Sequence, residues 1–312
     1  MSTHALIYFL SFLGIWIGSG LVIKSVEKLS RVIRASSFAI SFFLLGFFTS
    51  ISELSVGVSA IIQHDPEIYV GNLLGASIVL FILVIPLLAI GGHSIRVSPE
   101  FRGFNLPTSL LVIGLPVLFV LDGDVKISDA VIFLLAFLFL LINIERKKGV
   151  ISNLKNFKAK NAHHLGSELL KIILGITIIF SSSYLAVNQT LYFAQLWRIS
   201  PFLISLLVVA IGTNLPELSL VLRSIFRHNH QVAFGDYVGS AAVNTFLLGA
   251  LTLAYGKTIY LSNSYVISLS FLVLALLVFY LFAKSKNTIS RREGFLLLMI
   301  YFLFLLTEIW SH

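Results

Sequence analysis

The chain has 312 residues, 57% of them hydrophobic and 12% charged, with a mean hydropathy of +0.97. That balance excludes a soluble globular domain; at about 20 residues per span plus short loops it predicts a membrane protein of about ten helices. Cysteine is absent, which excludes a disulfide framework and a thiolate metal site, and the net charge of +8 is spread between apolar runs rather than gathered into a nucleic-acid-binding patch.

Taken in order, the apolar runs place spans near 5–23, 35–63, 67–91, 104–121, 127–144, 167–190, 200–226, 231–254, 262–283 and 294–310. The first has no basic segment before it and no small-residue cleavage site after it, so it reads as a retained helix rather than a signal peptide. The connections alternate in charge. One side carries Lys24, Lys28, Arg31 and Arg34, then Arg96 and Arg102, then Arg146, Lys147, Lys148, Lys155, Lys158, Lys160 and Lys171. Arg223, Arg227, Lys284, Lys286, Arg291 and Arg292 complete it, nineteen of the 22 basic residues. The other side has Lys126, Arg198 and Lys257. The positive-inside rule makes the rich side cytoplasmic and puts both termini outside, in a prokaryotic inner or plasma membrane.

Five spans, a basic linker and five more spans divide the chain into a first repeat (1–144), a cytoplasmic linker (145–166) and a second repeat (167–312). An odd number of spans per repeat inverts the second relative to the first. Residues 45–64 read LGFFTSISELSVGVSAIIQH, and residues 209–228 read VAIGTNLPELSLVLRSIFRH. Offset by 164 positions without a gap, Thr49, Glu53, Leu54, Ser55, Ile61, His64, Gly71, Gly75 and Val79 match their partners. The expected fold is therefore an all-α membrane protein of two inverted-topology five-helix repeats, a plan common among secondary transporters. The inversion puts His64 and Asp65 outside, and His228 and Asn229 inside.

Each repeat carries one glutamate, Glu53 or Glu217, inside an apolar span, with a threonine four residues earlier. A carboxylate at mid-membrane costs about 2.5–3.5 kcal/mol even on an insertion scale. Bearing that cost twice, in equivalent places, points to a cation site made by two halves. Pro216 lacks an N–H, so carbonyls near Gly212 and Thr213 lose helical partners. Such carbonyls, the Thr213 hydroxyl and the Glu217 carboxylate are hard oxygen donors suited to Ca²⁺ or Na⁺. The helix after each glutamate opens on glycines four apart, Gly71 and Gly75 or Gly235 and Gly239, which permit close packing. Ser240 and Asn244 then share one helix face and are expected to line the cavity. Every histidine falls at a span end or in a loop, so a buried imidazole site and a membrane-embedded nucleophile–base pair are both disfavoured; the chain reads as no enzyme. Trp197 and Tyr260, near span ends, read as interfacial anchors.

These motifs resemble those of the sodium/calcium exchangers of the cation/calcium antiporter superfamily. The resemblance rests on Gly212-Thr213-Asn214-x-Pro216-Glu217, on the weaker Thr49-Ser50-x-x-Glu53, and on the glycine-rich helix after each, and it extends over nearly the whole chain. It implies Ca²⁺ held between the two glutamates, Na⁺ sites around them, and access alternated by two helices sliding past the rest. The implied ligands are Thr49, Ser50 and Glu53 with Thr213, Asn214, Glu217, Ser240 and Asn244, joined by the backbone carbonyls of Gly46 and Ala210. The first repeat departs from the pattern: Phe48 stands for glycine, Ser52 for proline, Ala76 for serine and Leu80 for a polar residue. In the second, Asn214 replaces serine, Asn244 takes a place that is polar or acidic in the family, and Asp236 replaces asparagine.

The expected function is secondary active cation antiport without a cofactor, calcium exchanged against sodium or protons. Two alternatives stand beside it: a monovalent cation/proton antiporter, and a degenerate, non-transporting ion sensor or assembly protein.

Overall fold

The computed structural model describes residues 1–30, 46–92, 94–97, 105–148, 165–227, 230–261 and 266–311. His93, His163, His164, His228, Asn229 and His312, Arg31, Arg34 and Arg102, most of the 145–166 linker, and the first part of the second expected span lie outside them.

The first rod is α1 (Ser2–Ser30), longer than the apolar run predicted because its polar end continues the helix. The second is broken. A short α2 (Gly46–Thr49) stops at Ser50, and α3 (Ile51–Ile62) resumes beyond it. The third runs through α4 (Glu67–Val79), a π-helical turn at Leu80–Val84 and α5 (Ile85–Gly91). The π turn precedes Pro86, whose missing N–H would otherwise leave a gap in the helical ladder. After β1 (Ser94–Arg96) come α6 (Asn105–Val120), β2 (Asp124–Val125) and α7 (Ile127–Lys148).

The second half opens with α8 (Leu165–Trp197), which extends seven residues past the predicted span end at residue 190. The next rod comprises α9 (Pro201–Ile204), a π turn at Ser205–Val209, α10 (Ala210–Thr213), a break at Asn214 and α11 (Leu215–Arg227). Then follow α12 (His230–Tyr255), β3 (Ile259–Tyr260), α13 (Val266–Lys286), β4 (Thr288–Ser290) and α14 (Arg291–Ser311). Seven of the described helices are long and apolar enough to cross a membrane, and Gly46–Ile62 and Asn105–Val120 are shorter apolar ones. The chain is a multi-pass helical membrane protein.

The short strands report the repeat symmetry. Strand β1 pairs antiparallel with β4 (Ser94↔Ser290, Ile95↔Ile289), and β2 with β3 (Asp124↔Tyr260, Val125↔Ile259). Moving each residue of the pair Ser94↔Ser290 by the 164-residue offset gives Lys126↔Thr258, the next rung beyond Val125↔Ile259. The two ladders are thus one register seen from the two repeats. They lie at opposite ends of α6, as an inverted repeat requires.

Packing sorts the helices. The rods containing α4 and α12 are buried almost throughout, from Ile68 and Tyr69 to Phe81, and from Phe234 to Leu251. Helices α1 and α8 pack face to face, with Gly18 and Gly175 so close that a Cβ on either would lie 2.8 Å from the other's carbonyl oxygen. Absent side chains let the two backbones touch, the usual means of helix association where lipid offers no hydrophobic drive. Their outer faces, such as Phe9, Ile17, Ile173 and Leu174, stay exposed. Trp197 and Tyr260 are exposed at element ends, where interfacial anchors belong.

Candidate functional site

Both broken rods break for a local reason. In the second repeat Pro216 cannot donate to the carbonyl of Gly212, and the helix yields at Asn214. In the first repeat there is no proline. Ser52 occupies its place, and its hydroxyl bonds the Thr49 carbonyl at 2.8 Å, helping to satisfy an acceptor beside the break. The same hydroxyl lies 3.2 Å from the Thr213 carbonyl across the repeat boundary and 3.0 Å from Glu53 Oε2. Ser52 therefore belongs to the site. Sequence reasoning noted it only as a departure, although a hydroxyl beside the acid was a signal in itself.

The breaks aim the threonines outward. Thr213 Oγ1 lies 3.1 Å from Asn72 Oδ1 on α4, and Thr49 Oγ1 lies 3.4 Å from Asp236 Oδ1 on α12. Each threonine also faces the carbonyl four-residue turns make available, Ala210 O or Gly46 O, at 3.3 Å. These contacts interchange under the repeat offset. Close backbone approach makes them possible. A Cβ on Gly46 would sit 2.9 Å from the Gly239 carbonyl carbon and the Ser240 nitrogen; one on Gly75 would run into Leu206 O.

Glu53 and Glu217 are both fully buried. Glu53 Oε1 and Glu217 Oε2 find no hydrogen-bond partner. Two orphaned carboxylate oxygens inside a membrane protein are costly unless something positive joins them. Around Glu217 the oxygens form a chain: Gly46 O to Ser50 Oγ at 2.8 Å, Ser50 Oγ to Ser240 Oγ at 3.0 Å, and Ser240 Oγ to Glu217 Oε1 at 3.4 Å. Around Glu53 the equivalents are Ala210 O and Asn214 Nδ2 at 2.7 Å, then Ala76, which offers only a methyl group.

The fold thus gathers Gly46, Thr49, Ser50, Glu53, Ala210, Thr213, Asn214, Glu217 and Ser240 around one buried polar region. Asn244, one turn beyond Ser240 on α12, has its amide 3.5 Å from Ser77 Oγ and its Oδ1 without a partner. No group of three or more His, Cys, Asp or Glu side chains that could hold a metal ion occurs among the described residues. Any cation here would rely on two carboxylates and neutral oxygens.

The sequence profile described as "Sodium/calcium exchanger protein" matches residues 3–144 and 167–310, and the chain belongs to that family. It is 28% identical over 298 residues to an uncharacterized membrane protein of Methanocaldococcus jannaschii, covering 94% of each chain. It is 23% identical over 332 residues to the sodium/calcium exchanger MaX1 of Methanosarcina acetivorans, covering 92% of this chain and 93% of that one. Among solved structures, the sodium-calcium exchanger NCX_Mj soaked with 10 mM Na⁺ and 10 mM Sr²⁺ superposes with a TM-score of 0.69 at 26% identity, over 97% of this chain and 98% of that one. Membership makes the protein a cation antiporter by family, and the family is one of transporters.

Proposed function

We propose that this chain exchanges Ca²⁺ for Na⁺ or H⁺ at a site formed by Glu53 and Glu217. The observation that carries the reading is the pair of fully buried carboxylates, one from each inverted repeat, each with an oxygen lacking any partner. Together they supply two negative charges. One Ca²⁺, two Na⁺ or two protons neutralise them equally, so competing ions can exchange at shared ligands. Hydroxyl and carbonyl oxygens nearby complete a hard-donor set of the kind Ca²⁺ takes, six to eight oxygens in flexible geometry. The similarity to a sodium/calcium exchanger, MaX1, and to an exchanger soaked with Na⁺ and Sr²⁺, NCX_Mj, supports this cargo.

Residues 1–144 and 167–312 act as the two inverted repeats, joined by the basic 145–166 linker on the cytoplasmic side, with both termini outside. Occupancy of the shared site biases the protein between its two open faces. A second reading, monovalent cation/proton antiport, is favoured by one observation: the first repeat has buried Ala76 and Leu80 where the second has Ser240 and Asn244, and so offers fewer oxygen donors.

Radioactive calcium flux in proteoliposomes, driven first by a sodium gradient and then by a pH gradient, tests both. Calcium accumulation under either gradient supports calcium antiport, and its loss in Glu53→Gln and Glu217→Gln supports the pair as ligands. Accumulation of monovalent ions alone selects the second reading. Undiminished calcium flux in either variant removes that glutamate from the site.

A further inference from the structure

Away from the buried acids, an apolar groove of about 380 Å³ runs between α6 and α13. Pro107, Gly114 and Leu118 line it from one helix, and Val273, Leu276 and Tyr280 from the other. Spacings of seven and four residues, and of three and four, put each set on a single stripe of its helix. Gly114 forms the floor: a Cβ there would lie 3.1 Å from Leu276 Cδ1, so the helices meet at the glycine and the groove stays open along it. The two helices are antiparallel. Helix α6 leads from β1 to β2 and α13 from β3 to β4, while β1 pairs with β4 and β2 with β3. Pro107 and Tyr280 therefore lie toward the β1–β4 end, and Leu118 and Val273 toward the other. Eleven residues of helix from Pro107 to Leu118 span about 16 Å. That is close to one leaflet, half of a hydrocarbon core about 30 Å thick.

The groove carries a charge at its mouth. Lys284, one turn beyond Tyr280, holds its ammonium 5.4 Å from the centre of the Tyr280 ring. Attraction between cation and ring keeps that charge over the last residue of the groove. Lys284 is exposed, and among the described residues no carboxylate pairs with it. Lys286 and Arg96 are exposed at the same end. A lysine that only snorkels needs nothing but water. This one stands where an apolar channel opens, and the channel and the charge together describe a ligand with a tail and an anionic head.

We infer that the groove holds an acyl chain of an anionic phospholipid from the leaflet at the β1–β4 end, with the lipid phosphate against Lys284. A channel one leaflet long and without a charged group along it fits the tail, and basic side chains at its mouth fit the head. A second copy of the chain fits less well. Docked about a two-fold axis along the membrane normal, it would bring Lys284 to the same depth as its own counterpart, like charge beside like charge.

The test is native mass spectrometry of the purified full-length protein, stripped of lipid in detergent and titrated with phosphatidylglycerol or with phosphatidylcholine of the same chain length. Wild type should take up its first phosphatidylglycerol about fivefold more tightly than its first phosphatidylcholine, the factor expected of one basic side chain near a headgroup. Lys284→Ala should bind the two alike, whereas Lys257→Ala, at the β2–β3 end, should keep the preference. Gly114→Leu places a side chain on the floor of the groove, where the end of Leu276 can turn aside, and should weaken the first binding of both lipids. Equal affinities in wild type, an undiminished preference in Lys284→Ala, a preference lost equally in Lys257→Ala, or full binding in Gly114→Leu each overturn the inference. Should Gly114→Leu not fold, the two lysine variants decide alone. A dimer that survives lipid removal and is lost in Gly114→Leu would assign the groove to a second copy and overturn it as well.

Discussion

Thr213 gives its hydroxyl proton to Asn72 Oδ1 across 3.1 Å, so that a broken helix of the second repeat is braced against the glycine-opened helix of the first. The inverted mate of this bond joins Thr49 to Asp236 at 3.4 Å. Each carboxylate segment is therefore anchored by its own threonine to the glycine-opened helix of the other repeat, and neither half of the site is complete within one repeat.

Ser52 braces the site through three contacts, touching Thr49 O, Thr213 O and Glu53 Oε2. Ser52→Ala removes the donor and leaves buried acceptors unmet, at a cost of about 1–3 kcal/mol. We expect a lower thermal unfolding midpoint in detergent and weaker calcium uptake, with insertion intact. An unchanged midpoint together with unchanged uptake would show that Ser52 plays no part in the site.

Glycine substitutions should separate by position. In Gly46→Ala the new methyl meets backbone atoms of Gly239 and Ser240 at 2.9 Å, and backbone cannot turn aside as a side chain can. Overpacking of this kind costs about 1–3 kcal/mol. Gly20→Ala on α1 meets nothing within 4 Å and should be neutral or stabilising by up to about 1 kcal/mol through helix propensity. Comparison of the two midpoints by scanning calorimetry checks the ranking; equal effects would mean that α2 and α12 are not in contact.

Orientation can be read with introduced cysteines, since the native chain has none. Asp122, Lys257 and Lys286 are exposed, the first two at the β2–β3 end and the third at the β1–β4 end. An impermeant maleimide applied outside intact cells should label Asp122→Cys and Lys257→Cys and spare Lys286→Cys. Labelling of Lys257→Cys and Lys286→Cys from the same side would defeat the inverted arrangement, and the reverse pattern would place the termini inside.

Asp65, in the turn between α3 and α4, should make stability depend on pH. Burial, and then the neighbouring Glu67 carboxylate, push it from 3.8 up to about 6. Between those values the folded protein binds the proton more tightly than the unfolded chain. The stabilisation is therefore full below the unfolded value and is lost as pH rises from about 4 to about 6. Unfolding midpoints measured across that window should fall with pH in wild type and fall less in Asp65→Asn. Parallel curves for the two proteins would show that Asp65 titrates normally.

The sequence by itself determined the membrane class, the span order, the inverted duplication and the two acids, because each is written in local pattern. Apolar run length fixes what can cross a bilayer, and an unpaired glutamate inside such a run is conspicuous wherever the chain folds. The strand ladders, which the sequence did not reveal, follow the same 164-residue offset. What only the tertiary structure decided is how side chains from the two repeats meet. The Ser50–Ser240 contact joins residues 190 positions apart, and the Thr213 carbonyl is met by Ser52 from 161 positions away. Neither pairing follows from periodicity: the first needs α2 to cross α12 where Gly46 meets Gly239, and the second needs the two helix breaks to meet. Asn244, on the expected helix face, has its amide toward Ser77, and Asn214 bonds the Ala210 carbonyl one turn back in its own rod; neither contact was legible in the motif. A motif specifies which atoms are available; only packing specifies which of them remain free to face an ion.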